Sequence, residues 1–371
     1  MRRTKGGVPE HQRLGAAEGE EITYASYLRL SDILGAQRPL GPEHGIDAHD
    51  EMLFIIIHQT YELWFRQILH ELDRIQTDFA EKPVDDWRLS RMVGGLHRIR
   101  DIFRLGIQQV DILETMTPQD FLDFRDVLST SSGFQSLQFR LIETRLGLAK
   151  TRRLLFAGKT VDQDMSPHER AAFHAAENAP SLRDQLEAWL SRTPFVSGHD
   201  YAFREAYRSA VTRMLVGQRV GAAAADDGEN AKAIADAQRA FAAIFDPSED
   251  GDWTMSGDAV EAALFITVYR EKPALHMPFA LLSALMDIDS VMALWRHRHA
   301  LMAERMIGMR SGTGGSSGQA YLARTAREHR VFSDLFRLST YLIPRRELPD
   351  LPADIERRMG LVYAAESDTS G

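Results

Sequence analysis

Two histidines stand where apolar helical faces carry them inward. Within His49-Asp50-Glu51-Met52-Leu53-Phe54-Ile55-Ile56-Ile57-His58-Gln59-Thr60-Tyr61-Glu62-Leu63-Trp64-Phe65, a single helical face collects Phe54, Ile57, His58, Tyr61 and Phe65, and then Ile68 and Leu72. Burial disfavours the charged imidazole, so His58 is either a satisfied core group or a neutral ring that accepts or orients a proton. The second histidine lies in Trp295-Arg296-His297-Arg298-His299. At about 100° per residue, His297 and His299 point roughly 200° apart, so they cannot share a metal on one helix face. His299 is the inward one, on a stripe with Ile288, Val291, Met292, Trp295, Met302 and Met306. A histidine between Trp and Met suits an axial bond to a haem iron, because flat apolar neighbours fit a porphyrin face. The competing reading is a core histidine bonded to a backbone carbonyl.

Other residues offer binding chemistry. Phe121 and Arg125, four positions apart, share a helix face, and Ser131-Ser132-Gly133-Phe134 turns the chain after them. A guanidinium beside aromatic rings holds a carboxylate through paired hydrogen bonds while the rings take an apolar side chain, the outline of an amino-acid pocket; an Arg in a surface ion pair is the alternative. Ser311-Gly312-Thr313-Gly314-Gly315-Ser316-Ser317-Gly318 is a loop that either connects or closes over a ligand, with Thr313 as a donor. It lacks the Gly-Lys-Ser/Thr ending and the preceding strand of a phosphate loop. Tyr24 and Tyr27, one turn apart, pack on a partner subunit or on the core.

The elements that position these residues are helical. Periodicity predicts helices from Ile22 to Ala80 with a loop at Pro39-Leu40-Gly41-Pro42, and over 88–112, 117–128, 134–158, 181–192, 200–219, 230–245, 257–270, 276–308 and 320–342, with almost no alternating strand pattern. The expected class is all-α: a disordered segment over 1–20, one helical domain over 21–346 and a tail over 347–371. A chain of 371 residues, 44% hydrophobic, can bury a large core. Its 44 Lys and Arg against 53 Asp and Glu give a net charge of -9, which argues against nucleic acid and anionic membranes as partners. With no cysteine, disulfides, thiolate ligands and covalent c-type haem are excluded, and any metal is held by His, carboxylate or a non-covalent cofactor. No uninterrupted apolar run of membrane-spanning length and no signal-like head is present, so a cytoplasmic location is expected.

Together these stretches resemble the tryptophan 2,3-dioxygenase family. The resemblance rests on Tyr24–Leu30, His49–Leu72, Phe121–Arg140 with its GFQSLQFR, Ala280–His299 with LMDIDS, the GTGGSSG loop, and Phe332–Arg345. It implies an all-α haem dioxygenase that cleaves the indole C2–C3 bond of L-tryptophan with O2 to give N-formyl-L-kynurenine. It also implies haem b with His299 as the iron's axial ligand and Trp295 and Ser132 beside the haem. His58 then meets the indole N–H, Phe54 and Phe121 pack on the ring, and Arg125 and Thr313 hold the amino-acid end, with Ser132 close by. Tyr24 and Tyr27 complete a neighbour's pocket in a homotetramer. Two departures bear on substrate choice. Gln319-Ala320 follow the glycine loop where the family has an aromatic or acidic residue, and Ser129-Thr130-Ser131-Ser132 stands where many members have Ser-Pro-Ala-Ser. A related haem enzyme that inserts one oxygen atom into a modified tryptophan is the alternative that these changes leave open.

Overall fold

The computed structural model describes residues 22–360, except 130–132, 154–159, 195, 197–200, 222–231, 233–234, 237–238, 240, 242–252, 309 and 311–317, with 218–221 and 318–321 by backbone alone. Among the described residues there is no strand. The helices are α1 Tyr24–Leu28, α2 Leu30–Leu34, α3 Glu51–Ala80, α4 Asp86–Leu113, α5 Pro118–Arg125, α6 Leu137–Leu146, α7 Pro167–Asn178, α8 Leu182–Leu190 and α9 Phe203–Gly221. They continue with α10 Gly257–Val268, α11 His276–Ile307, α12 Gly318–Glu328, α13 Ser333–Arg337 and α14 Ala353–Met359.

The three longest helices carry the site. α11 packs mainly on α4 and α12, while α3 packs on α4, α6 and α8. Their apolar stripes meet in one large core that includes Ile68, Leu72, Leu96, Ile99, Leu285 and Ile288, all wholly buried. A smaller cluster of Ile57, Leu113, Met116, Phe124 and Met306 lies toward α5. Gly106 lets α4 approach closely: a Cβ there would stand 3.2 Å from the Tyr61 ring and 3.6 Å from the Trp295 indole.

Several boundaries follow from local chemistry. Thr117 and Asp120 form a reciprocal capping box at the start of α5, with Pro118 in its first turn. The helix expected over 134–158 instead ends at Leu146, because Gly147 turns the chain at φ +114° against Ser181 and Arg183. The helix expected over 320–342 is broken at Val331 and Phe332, whose N–H groups donate to the buried Asp289 carboxylate at 2.9 and 3.0 Å. α7 lies where no helix was expected, although the Ser166–Glu169 capping box and Pro167 mark its start. Most of the 230–245 segment lies outside the described residues. The chain stays in the folded body beyond the boundary expected at 346, since Ile355 and Met359 of α14 are fully buried in the main core.

By length and composition α11 and the turn before it are long and apolar enough to cross a membrane, which was not apparent from uninterrupted apolar runs. Half of that apolar window is buried inside the fold, and the helix also carries buried Arg296 and Asp289, so it is the central core helix.

The segment before α3 is fastened to it at two points. The buried Glu51 carboxylate accepts the Leu40 and Gly41 N–H groups, both at 2.8 Å. Farther along, Gln37 donates to Gln59 at 2.6 Å, and Gln59 donates to the Ala36 carbonyl at 3.3 Å. Glu51→Ala strands two backbone donors, one of them buried, and should lower stability by about 2–4 kcal/mol in urea unfolding. An unchanged unfolding midpoint would refute the fastening role.

Candidate functional site

A cavity with about 1360 Å³ of atom-free space, its mouth included, opens where the two apolar clusters meet. His58 and Tyr61 from α3, Phe121 and Arg125 from α5, and Trp295 and His299 from α11 all line it. The structure therefore brings together residues as far apart in sequence as His58 and His299.

The two histidines are held differently. The His58 Nδ1 lies 2.7 Å from the Phe54 carbonyl oxygen, one turn back on the same helix. A carbonyl only accepts, so the neutral ring places its proton on Nδ1 and leaves Nε2 as a bare acceptor. Burial pushes the His58 pKa below its usual value, against the opposing pull of that hydrogen bond and of the Glu62 charge. His299 is pushed down to about 4, first by burial and then by the charge of His58. Its Nδ1 is buried with no hydrogen-bond partner among the described residues, so no described carbonyl satisfies it as in a core histidine. His297, as expected, faces outward.

Aromatic rings wall both histidines. The Phe54 ring lies 4.1 Å from the His58 ring and 5.8 Å from Phe121, backing the cavity wall without lining the cavity itself. Trp295 lies 5.4 Å from His299 and 5.0 Å from Phe139, with Tyr61 at 6.2 Å. The Tyr61 hydroxyl donates to the Gly106 carbonyl at 2.7 Å, and burial pushes its pKa up to about 12. Both aromatic walls are thus fixed by helix packing and leave the cavity largely apolar.

Phe121 and Arg125 lie one turn apart on α5 and both face the cavity, as their spacing requires. Tyr24 and Tyr27 do not pack on the core: on α1 they are 75% and 77% exposed. Ser132 and Thr313, with the rest of the glycine loop, lie outside the described residues.

Sequence reasoning missed several polar residues on the cavity wall, among them Arg140, Glu143, Arg296 and His329. The Glu143 carboxylate accepts Arg140 Nη1 at 2.9 Å and Arg296 Nη2 at 2.8 Å, with His329 Nδ1 at 3.3 Å. Burial alone would raise its pKa; Arg140, His329 and Arg296 overcome that penalty and hold it below the usual carboxylate range. The available signal was a charge at an inward helical position, as at Arg296 one turn before His299. His329, in a segment without strong periodicity, gave none.

Among the described residues no group of three or more His, Asp or Glu converges as for a protein-chelated metal. His299 offers instead one neutral nitrogen ligand in an aromatic cavity.

A family model described as tryptophan 2,3-dioxygenase matches residues 10–342. The tryptophan 2,3-dioxygenase of Bdellovibrio bacteriovorus is 44% identical over 354 residues, covering 92% of this chain and 99% of that protein. The proteins of that name from Aedes aegypti and Dictyostelium discoideum are 40% and 38% identical, covering 95% and 92% of this chain and 93% and 89% of their own lengths.

The His58 environment sets a direction for its titration. Its pKa is lowered on folding, so the neutral ring stabilises the fold fully above the unfolded value of 6.5, and this contribution falls as pH drops through 6.5 toward the folded pKa. An NMR titration, with His58 assigned by comparison with His58→Gln, should give a midpoint below 6.5; one at or above 6.5 would contradict the burial of the ring.

Proposed function

Because this chain belongs to the tryptophan 2,3-dioxygenase family, we propose that it cleaves the indole C2–C3 bond of L-tryptophan with O2 to give N-formyl-L-kynurenine, using haem b held by His299. The observation that carries the cofactor assignment is the His299 ring on the cavity wall, kept neutral by burial beside the flat Trp295 indole, with its inner Nδ1 bonded to none of the described residues. These residues fit a non-covalently bound haem, and the absence of cysteine rules out the c-type thioether attachment. When bound, haem supplies the redox-active iron that lets O2 react with the indole, both oxygen atoms entering the product.

The chain's own residues supply position and exclusion of water. His58 Nε2, a bare acceptor once Nδ1 donates to Phe54, takes the indole N–H and orients the ring without removing its proton. Phe121, backed by Phe54, packs on the indole. Arg125 takes the substrate carboxylate through its planar fork, with Thr313 and Ser132 beside the amino-acid end and the haem, as the family resemblance implies. The apolar lining strengthens these polar contacts by keeping water out.

The assembly is a homotetramer in the cytoplasm in which Tyr24 and Tyr27 complete a neighbour's pocket. Their exposure supports this, as do Leu105 and Ile112 on α4 and Leu294 and Leu301 on α11, which leave apolar side chains exposed on two helices packed together.

Turnover of L-tryptophan under isotopically labelled O2 should give a formylkynurenine carrying two labelled atoms. One labelled atom in a product from a substituted tryptophan, with L-tryptophan untouched, would move the activity to monooxygenation. Arg125→Lys should raise the KM for L-tryptophan about 10- to 100-fold, because a point charge does not reproduce the fork. Unchanged kinetics would remove Arg125 from the site. His299→Ala should abolish stable haem retention, and an unaltered Soret spectrum would remove His299 as the ligand.

A further inference from the structure

Glu114 closes α4 as its C-cap residue, with its N–H on the Val110 and Ile112 carbonyls. A carboxylate at that end of a helix meets the negative pole of the helix dipole and is unfavourable there unless cations reach it. Two do, both from α11. Arg298 sets its fork on the Glu114 carboxylate, with Nη1 at 2.6 Å and Nη2 at 2.7 Å, and Arg305 Nη1 lies at 3.2 Å. Only 10% of the Glu114 side chain is exposed, so this is a largely desolvated, bidentate contact rather than a loose surface pair. Its bond to Arg298, above all, holds the Glu114 carboxyl below the usual carboxylate range. Arg298 and Arg305 are seven residues apart and share one helix face. His299 lies between them in sequence, on a face turned about 100° from Arg298, toward the cavity.

The other side of this contact leads to the substrate's place. Thr115 and Met116 alone separate Glu114 from Thr117, the N-cap of α5, and each is tied back to α4. The Thr115 hydroxyl donates to the Ile112 carbonyl at 2.7 Å, and the Met116 N–H to the Leu113 carbonyl at 3.2 Å. α5 therefore leaves α4 through a short hydrogen-bonded joint and carries Phe121 and Arg125 to the cavity. Phe124, wholly buried on α5, belongs to the same apolar cluster as Leu113, Met116 and Met306 of α11. We propose that Glu114 is a positioning residue that fastens the joint between α4 and α5 to the stretch of α11 around His299, and so sets the spacing between the iron ligand and Arg125. This rests on the reading of His299 as the haem ligand and of Arg125 as the carboxylate anchor. Glu114 is not among the described residues that line the cavity, so it acts through the helices it joins.

The test is a Soret titration of the haem-loaded full-length protein with L-tryptophan and with tryptamine, which keeps the indole and the ammonium but lacks the carboxylate that Arg125 takes. The wild-type protein should prefer L-tryptophan. Glu114→Gln should cut that preference about 10-fold, because a displacement on the order of 1 Å is enough to misalign a paired contact. Asp111→Asn removes the exposed second partner of Arg298 and leaves the joint alone, so the preference should be kept. Glu114→Asp, which retains the charge, should keep most of it. Haem content and the urea midpoint are read beside each titration, since a merely structural pair would lower both and leave the preference as it was. That pattern overturns the proposal, and so does an equal loss of preference in Asp111→Asn. Where Glu114→Gln fails to retain haem, Arg298→Lys takes its place: the cation stays, the planar fork is lost, and an undiminished preference again overturns the proposal. A wild-type protein that binds no haem, or that takes both ligands equally, removes the haem or the Arg125 reading itself, and the proposal falls with it.

Discussion

A buried histidine ring that finds no hydrogen-bond partner among the described residues is the constraint on which this site depends. Burying a polar atom without a partner costs about 1–3 kcal/mol, and a fold normally avoids that cost by supplying a carbonyl or hydroxyl. Around His299 the neighbours are rings and aliphatic chains: Trp295 at 5.4 Å, with Met302 and Leu113 on the same cavity wall. α4 comes near enough to build this wall because position 106 has no side chain, and Tyr61 spends its hydroxyl on the Gly106 carbonyl, away from His299. Keeping His299 without a partner among the described residues is thus a property of three helices, and the edge of its ring that lines the cavity is left to a ligand from outside the chain.

His58 and His299 show how one residue type in one cavity takes two states of readiness. Both rings are kept neutral by burial. The Phe54 carbonyl fixes the His58 tautomer, whereas nothing in the described structure fixes that of His299. A ring with an assigned proton suits orientation of a polar substrate group, and a ring with none assigned suits a ligand that decides for it. The charged wall of Arg140, Glu143 and Arg296 adds a third kind of contact, so the cavity presents separate chemical demands on sides built by different helices.

Much of this was legible in the sequence, for reasons that can be named. The apolar periods around His58 and His299 turned both rings inward because a helix of more than two dozen residues has little choice of face once its stripe is set. Phe121 and Arg125 were readable as a pair because four residues make one turn. What could not be read was tertiary. The inward position of Arg296 hinted at a buried charge, but its pairing with Glu143 shows only when α6 and α11 bring the two within 2.8 Å of each other. The early end of α6 depends on Gly147 meeting Ser181 and Arg183, a contact between elements over thirty residues apart. The break after α12 depends on Asp289, a carboxylate inside another helix. The N-terminal tyrosines could be assigned to a partner or to the core by pattern alone, and their exposure rules out the core.

The two fastenings at the start of α3 link the outside of the molecule to its chemistry. Glu51 grips the backbone of Leu40 and Gly41, and Gln59, the residue next to His58, grips the chain at Ala36 and Gln37. Seven residues of helix, about 10 Å, separate Glu51 from His58. The chain that leads from Tyr24 and Tyr27 is therefore fastened to the same helix that holds the His58 ring. The outer surface that bears the two exposed tyrosines and the inner wall that bears His58 thus hang from one and the same helix.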